Sequence, residues 1–146
     1  MEDLSGLLSL NHDLNPDDLT ADPDLSEETF QQMLEHPGLT VLLALLETEP
    51  VGSVTVSVIP NLTRGCASYA LIENVVTLST HRGRGIGERM MNAAIDICWA
   101  AGCFKIMLLS GERNARAHAF YERLGFERSK TGFDLRQPGY APRKIT

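Results

Sequence analysis

ENVVTLSTHRGRGIGERMM, running from Glu73 to Met91, carries a strand pattern into a glycine- and arginine-rich turn that opens directly into an amphipathic helix. The first N–H groups of a helix have no partner within it, and the helix dipole adds positive potential at the same place. A turn feeding a helix start is therefore an anion site in outline. Gly83, Gly85 and Gly87 let backbone approach a ligand closely. Arg82 and Arg84 add fixed positive charge and fork-shaped donors suited to phosphate oxygens. Together these residues predict a diphosphate held at a helix N-terminus.

Two common diphosphate patterns fail. No Gly-Lys-Ser/Thr follows the glycines, which excludes a P-loop, and the spacing 83, 85, 87 is not that of the dinucleotide fingerprint. What fits is R-x-x-G-x-G, read as Arg82, Gly85 and Gly87.

The rest of the chain supplies the setting. Its 146 residues, 43% of them apolar, suit one domain with one sizeable core, residues 1–146, ending in an irregular tail from Gln137. No apolar run has transmembrane length, and no signal segment opens the chain, so the expected location is cytoplasmic, without a membrane partner. Cys66, Cys98 and Cys103 form no CxxC and imply reduced thiols; no metal-ligand spacing occurs, and no metal is expected.

Charge is unevenly spread: residues 1–49 hold 12 of the 19 acids and no Lys or Arg, while the remainder holds all 13 basic residues. A basic half suits a phosphate-rich ligand. Net charge of −6 and the lack of an aromatic basic stripe argue against nucleic acid. The acidic half reads as a solvated face or as an attractor for a cationic amine.

Leu4, Leu7 and Leu8 predict a short helix over residues 2–10, and residues 15–25 a loop. Ser26 is the expected N-cap of a second helix carrying Phe30, Met33 and Leu34, stopped by Pro37-Gly38. Thr40–Glu47 is almost wholly apolar, as a central strand would be, and residues 52–59 alternate as a half-buried strand, the two forming a hairpin. Pro60–Gly65 is a loop, and Tyr69–Leu78 a third strand with Leu71, Glu73, Val75 and Thr77 on one face and Ile72, Asn74 and Val76 on the other. Ile86, Met90, Ala94 and Cys98 mark the helix that ends at Gly102; Phe104–Leu109 reads as a buried parallel strand. Asn114–Leu124 is a further helix stopped by Gly125, and residues 126–136 are expected to add one or two strands.

N-A-R-A-H-A-F-Y-E-R-L-G-F, residues 114–126, is the second specific piece. Together with R-x-x-G-x-G, in this order and at this separation, it resembles the GNAT superfamily of acetyl-coenzyme A-dependent N-acetyltransferases. The resemblance covers roughly residues 2–136. It implies an α/β (α+β) fold: a mixed, mostly antiparallel sheet with a splayed central parallel strand pair, flanked by about four helices. Members usually begin with a strand before the first helix; here the chain is read as beginning inside that helix, so either the strand is absent or the start codon was assigned late, and its loss would leave the Thr40–Glu47 strand with an open edge. A homodimer is expected on that ground.

The resemblance also implies roles. Backbone of Val75, Val76 and Thr77 pairs with the pantetheine arm of acetyl-coenzyme A; Arg82, Gly83, Arg84, Gly85, Ile86 and Gly87 hold its pyrophosphate; Asn114 and Tyr121 face it from the other side. Glu73, in an apolar strand and expected to be partly buried, is the candidate base, and Tyr121 the candidate acid for the leaving thiolate. His118 is read as passive. The implied reaction is direct acetyl transfer to a primary amine of a small molecule. A non-catalytic acetyl-coenzyme A sensor and a protein N-terminal or lysine acetyltransferase are the alternatives.

Overall fold

The computed structural model describes residues 2–143. By contacts the chain separates into two compact units, one up to Leu108 and one from Leu109.

The first unit begins with α1 (Glu2–Leu14) and α2 (Pro23–Glu35). Helix α1 runs one turn beyond its expected end, and Leu7 and Leu10 are its buried anchors. Helix α2 starts earlier than expected: Asp22, not Ser26, is the N-cap, accepting from the N–H groups of Asp24 and Leu25, with Pro23 at the first helical position. Proline needs no N–H there, so Asp22-Pro23 outcompetes the later serine. The Ser26 hydroxyl instead donates to the Asp22 carbonyl.

Strands β1 (Leu39–Leu46) and β2 (Glu49–Ile59) form the expected antiparallel hairpin. Strand β2 is buried continuously from Val51 to Val56, not on one face as its alternation predicted. The cause is a layer on each side. Val41 and Leu43 line a small cleft with Leu7, Phe30 and Leu34, which puts α1 and α2 on one face. A Cβ at Gly52, which points the other way, would meet Met90 of α4 (Ile86–Ala100) at 3.4 Å. Ser53 and Thr55 thus lie beneath α1 and α2, and Val54 and Val56 beneath α4.

After α3 (Thr63–Cys66), a kinked single turn within the predicted loop, β3 (Tyr69–Thr77) pairs antiparallel with β2. Helix α4 buries Met90, Met91, Ala94 and Cys98 and leads to β4 (Ile106–Leu108), parallel to β3. Among the described residues the sheet order is β1-β2-β3-β4, with β1 at an open edge.

The second unit holds α5 (Ala115–Arg123) with Gly125 in the left-handed conformation just past it. The strands expected over residues 126–136 do not form. Within its own unit this segment has no second strand to pair with, and an isolated extended segment gains no ladder bonds. Phe133 and Leu135 are 92% and 100% exposed. The expected tail is likewise irregular through Arg143; its last three residues lie outside the described ones.

Candidate functional site

Strand β3 is where the sheet becomes irregular. Its pairing with β4 is confined to Ala70, Ile72 and the residue between them, opposite Ile106–Leu108. From Glu73 to Thr77 the β4-side edge of β3 has no strand beside it among the described residues. On the other edge, the register with β2 slips: Thr55 faces Glu73 and Ser53 faces Val76, so Asn74 and Val75 together oppose Val54. This is a β-bulge, which leaves the extra residue outside the ladder and turns the strand. Asn74 has φ +52, a left-handed conformation that asparagine tolerates better than most residues.

The bulge overturns the predicted alternation. Directly opposed residues share a face, so Glu73 lies with Leu71 and Val76 on the α1–α2 side, and Ile72 and Thr77 on the α4 side. Glu73 is exposed, not partly buried, and the desolvation argument for it as a base goes with that burial. Below it the face is polar: Ser53 and Thr55 are buried, and the Ser53 hydroxyl has no hydrogen-bond partner among the described residues.

Beyond Thr77 the chain turns back at once. The Leu78 N–H donates to Val51 O at 2.9 Å, and a 3-10 turn covers Ser79–His81. Arg82 Nε donates to the Thr77 carbonyl at 3.2 Å, which fixes the guanidinium against the strand end. That carbonyl, expected to pair with a cofactor arm, is thus already engaged. Gly83 and Gly85 adopt φ +75 and +77, and a Cβ on either would meet nothing within 4 Å. They are glycines for conformation, and the space around them is open. Gly85 is the N-cap of α4 and provides no side-chain acceptor, so the N–H groups of Ile86, Gly87 and Glu88 have no capping oxygen. Arg82 and Arg84 are exposed, without a carboxylate in ion-pair range among the described residues. Open backbone donors, left-handed glycines and two unpaired guanidinium groups suit a diphosphate.

In the second unit, Asn114 is the N-cap of α5, its Oδ1 accepting from the Ala117 N–H at 3.1 Å. Its oxygen closes the first turn of α5, which leaves the amide NH2 and a second oxygen lone pair for any ligand. The Tyr121 ring packs at 5.3 Å from Phe120 and edge-on at 6.0 Å from Phe126. His118 Nε2 lies 2.8 Å from the Gly111 carbonyl, so that nitrogen carries the proton and ties the loop to the helix, in keeping with a passive role.

Glu73, Val75–Thr77 and Arg82–Gly87 therefore fall on one continuous strand–turn–helix of the first unit, while Asn114 and Tyr121 belong to the second. Sequence reasoning missed the bulge at Asn74 and the polar floor at Ser53. An asparagine in the middle of an apolar strand was the available signal for the first. Cys98 and Cys103 are buried free thiols; burial pushes the Cys98 thiol up to about 11 and raises Cys103, as befits inert packing residues. No group of three His, Cys, Asp or Glu among the described residues could hold a metal, and no helix among them is long and apolar enough to cross a membrane.

Known proteins are similar to this chain. A candidate acetyltransferase of Agrobacterium tumefaciens str. C58 superposes with a TM-score of 0.89 at 46% identity, over 92% of this chain and 94% of that one. Glucosamine 6-phosphate N-acetyltransferase of Arabidopsis thaliana is 27% identical over 114 residues, 73% of this chain and 74% of its own. The Trypanosoma brucei brucei enzyme of the same name is 37% identical over 76 residues, and the match spans 52% of this chain and about half of that relative, 50%. The profile of the acetyltransferase (GNAT) family matches residues 7–126, from α1 through the end of the α5 motif. The chain belongs to that family.

Proposed function

We propose that the protein transfers the acetyl group of acetyl-coenzyme A to a primary amine of a small molecule, directly and without an acyl-enzyme step. The observation that carries this reading is the uncapped N-terminus of α4, with Gly83 and Gly85 left-handed in open space, directly after a strand whose Glu73–Thr77 edge is free. The donors and the open edge fit the donor molecule's two ends. Backbone N–H groups of Ile86, Gly87 and Glu88, with Arg82 and Arg84, take the pyrophosphate; backbone of Val75 and Val76 pairs with the extended arm. Bound there, acetyl-coenzyme A supplies the acetyl group and a thiol as leaving group.

The chain's own groups manage the protons. An alkylammonium is mostly protonated at neutral pH and must lose a proton before it attacks. Glu73, exposed beside the bulge, accepts it directly or through water. The backbone freed from the ladder at Asn74 and Val75 offers an N–H to polarise the thioester carbonyl. Tyr121 returns a proton to the leaving sulfur. The relatives' glucosamine 6-phosphate activity supports a small amine as acceptor. Reduced buried thiols support a cytoplasmic setting. The open edge of β1 supports a homodimer, and a monomer in sedimentation at micromolar concentration would retire it.

Calorimetric titration of acetyl-coenzyme A, followed by an amine screen, tests the reading. Binding with turnover of at least one amine is expected. Binding without turnover across the screen would leave a sensor module, and no binding by folded protein would remove the proposal.

A further inference from the structure

Resting on that reading and deepening it, we propose that the loop joining β2 to β3 is the anion-holding end of the acceptor site, with Arg64 and Lys105 taking the phosphate of a phosphorylated amine. A groove of about 550 Å³ opens there, lined by Pro60, Asn61, Leu62, Cys66 and Ser68. Phe104, whose N–H is bonded to Ser68 O of that lining, forms a rim where two cations share one aromatic ring: Arg64 Cζ lies 5.6 Å and Lys105 Nζ 5.4 Å from the Phe104 centroid, and Lys105 Nζ is also 5.6 Å from the Tyr69 ring. Both side chains are exposed. The ion pair found among the described residues is Arg136–Asp134, so neither cation has a carboxylate there. Two cations held at one ring, neither with a carboxylate, offer an anion two positive partners.

The loop is built to hold this arrangement. Asn61 Nδ2 donates to Thr63 O, Thr63 Oγ1 and Ala67 O at 3.3, 2.7 and 3.3 Å. The Phe104 N–H donates to Ser68 O at 2.9 Å, and the Ala70 N–H to Lys105 O at 3.0 Å, which joins the groove to the start of β4. Arg64, Gly65 and Cys66 are consecutive left-handed residues, with φ of +55, +66 and +65. This tight reversal accompanies the Arg64 side chain's placement over Phe104.

Position and chemistry select the ligand. Tyr69 pairs with Ile59 and Glu73 with Thr55, so Tyr69 and Glu73 share a face of β3. They are four steps apart along the strand, on the order of 13 Å, and the long Arg and Lys side chains shorten the gap. An amine at Glu73 and an anion at the rim thus belong to one molecule the size of a phosphorylated sugar. A phosphate dianion uses both cations, and its oxygens match the guanidinium fork; a single carboxylate needs only one. The α4 loop is at the opposite end of β3, so the rim is separate from the donor's pyrophosphate site.

The test is calorimetry with glucose 6-phosphate, which carries the phosphate but no amine to be acetylated. It is titrated into wild type and into Arg64→Gln/Lys105→Gln, with acetyl-coenzyme A titrated into both as a control of folding. Wild type is expected to bind, the double variant to lose at least tenfold in affinity, and acetyl-coenzyme A to bind both alike. Equal glucose 6-phosphate affinity in the two proteins, or no binding by wild type that still binds acetyl-coenzyme A, overturns the proposal and leaves the acetyl-transfer reading intact. Variant-sensitive sugar phosphate binding without any acetyl-coenzyme A binding supports the anion site and removes the acetyl-transfer reading.

Discussion

Helices α4 and α5 begin in opposite ways. Helix α5 is sealed: Asn114 closes its first turn by accepting from the Ala117 N–H. Helix α2 is sealed too, by Asp22. Helix α4, the longest of the three, starts from a left-handed glycine with no side-chain acceptor at all. A helix is more stable with Ser, Asp or Asn than with glycine at that position by roughly a few tenths of a kcal/mol. At α4 that side-chain bond is missing where three N–H groups, two exposed arginines and open space coincide. Of these three starts, that of α4 is the one whose donors are open to a ligand.

The contrast can be broken most directly at Gly87. A carboxylate in the first turn suits the helix dipole but repels phosphate. Gly87→Asp should therefore weaken acetyl-coenzyme A binding by about a hundredfold or more while leaving the melting temperature unchanged or higher. Calorimetry beside thermal denaturation reads both; parallel losses of binding and stability would mean that the loop matters only for folding. Next in size is the Tyr121 hydroxyl on α5. Tyr121→Phe should lower kcat by about tenfold to a hundredfold with donor affinity kept, and wild-type turnover would remove Tyr121 from the mechanism.

Two stability changes sharpen the comparison. Asn74→Val places a β-branched side chain at φ +52 and should cost about 1–2 kcal/mol in denaturant unfolding, whereas Asn74→Gly should be tolerated. Equal stability of the two variants would mean that the bulge relaxes freely. Asn114→Ala, which opens the sealed helix, should cost about 1 kcal/mol; no loss would show that water caps α5 as well as the side chain does. A pH dependence is expected in alkaline solution. The Cys98 thiol titrates at about 11 when folded, against 9.0 for an unperturbed thiol, because burial disfavours the thiolate. Its contribution to stability is complete below pH 9 and declines as pH rises towards 11. Cys98→Ala should flatten that decline in unfolding curves taken across the window.

Much of this architecture was legible from local pattern. Apolar periodicity marked α4, the β1–β2 hairpin, β3 and β4, because each buries a face whose spacing is written along the chain. The glycine positions of the Arg82–Gly87 turn were readable for a similar reason: left-handed backbone in a tight loop leaves few other choices of residue. Gly125 marked the end of α5 in the same way. Where two local signals competed, as between Asp22-Pro23 and Ser26, pattern alone misplaced the boundary by one turn.

Other features depended on what came to lie beside each segment. Continuous burial of Val51–Val56 required helices on both faces of β2, which no alternation within β2 records. Residues 126–136 have a strand-like composition but no partner within their unit, and a strand exists only through its ladder. Glu73 changed face companions because one extra residue at Asn74–Val75 slipped the register, and with a side-chain period of two a single slip reverses every assignment beyond it. Arg64 and Lys105 are 41 positions apart and meet over Phe104 only when β3 and β4 pair. Sequence determined which segments fold and which turn has the glycines and arginines suited to an anion, since those are properties of neighbours along the chain. Tertiary structure decided which residues share a face or a site, since that is settled by pairing between segments far apart.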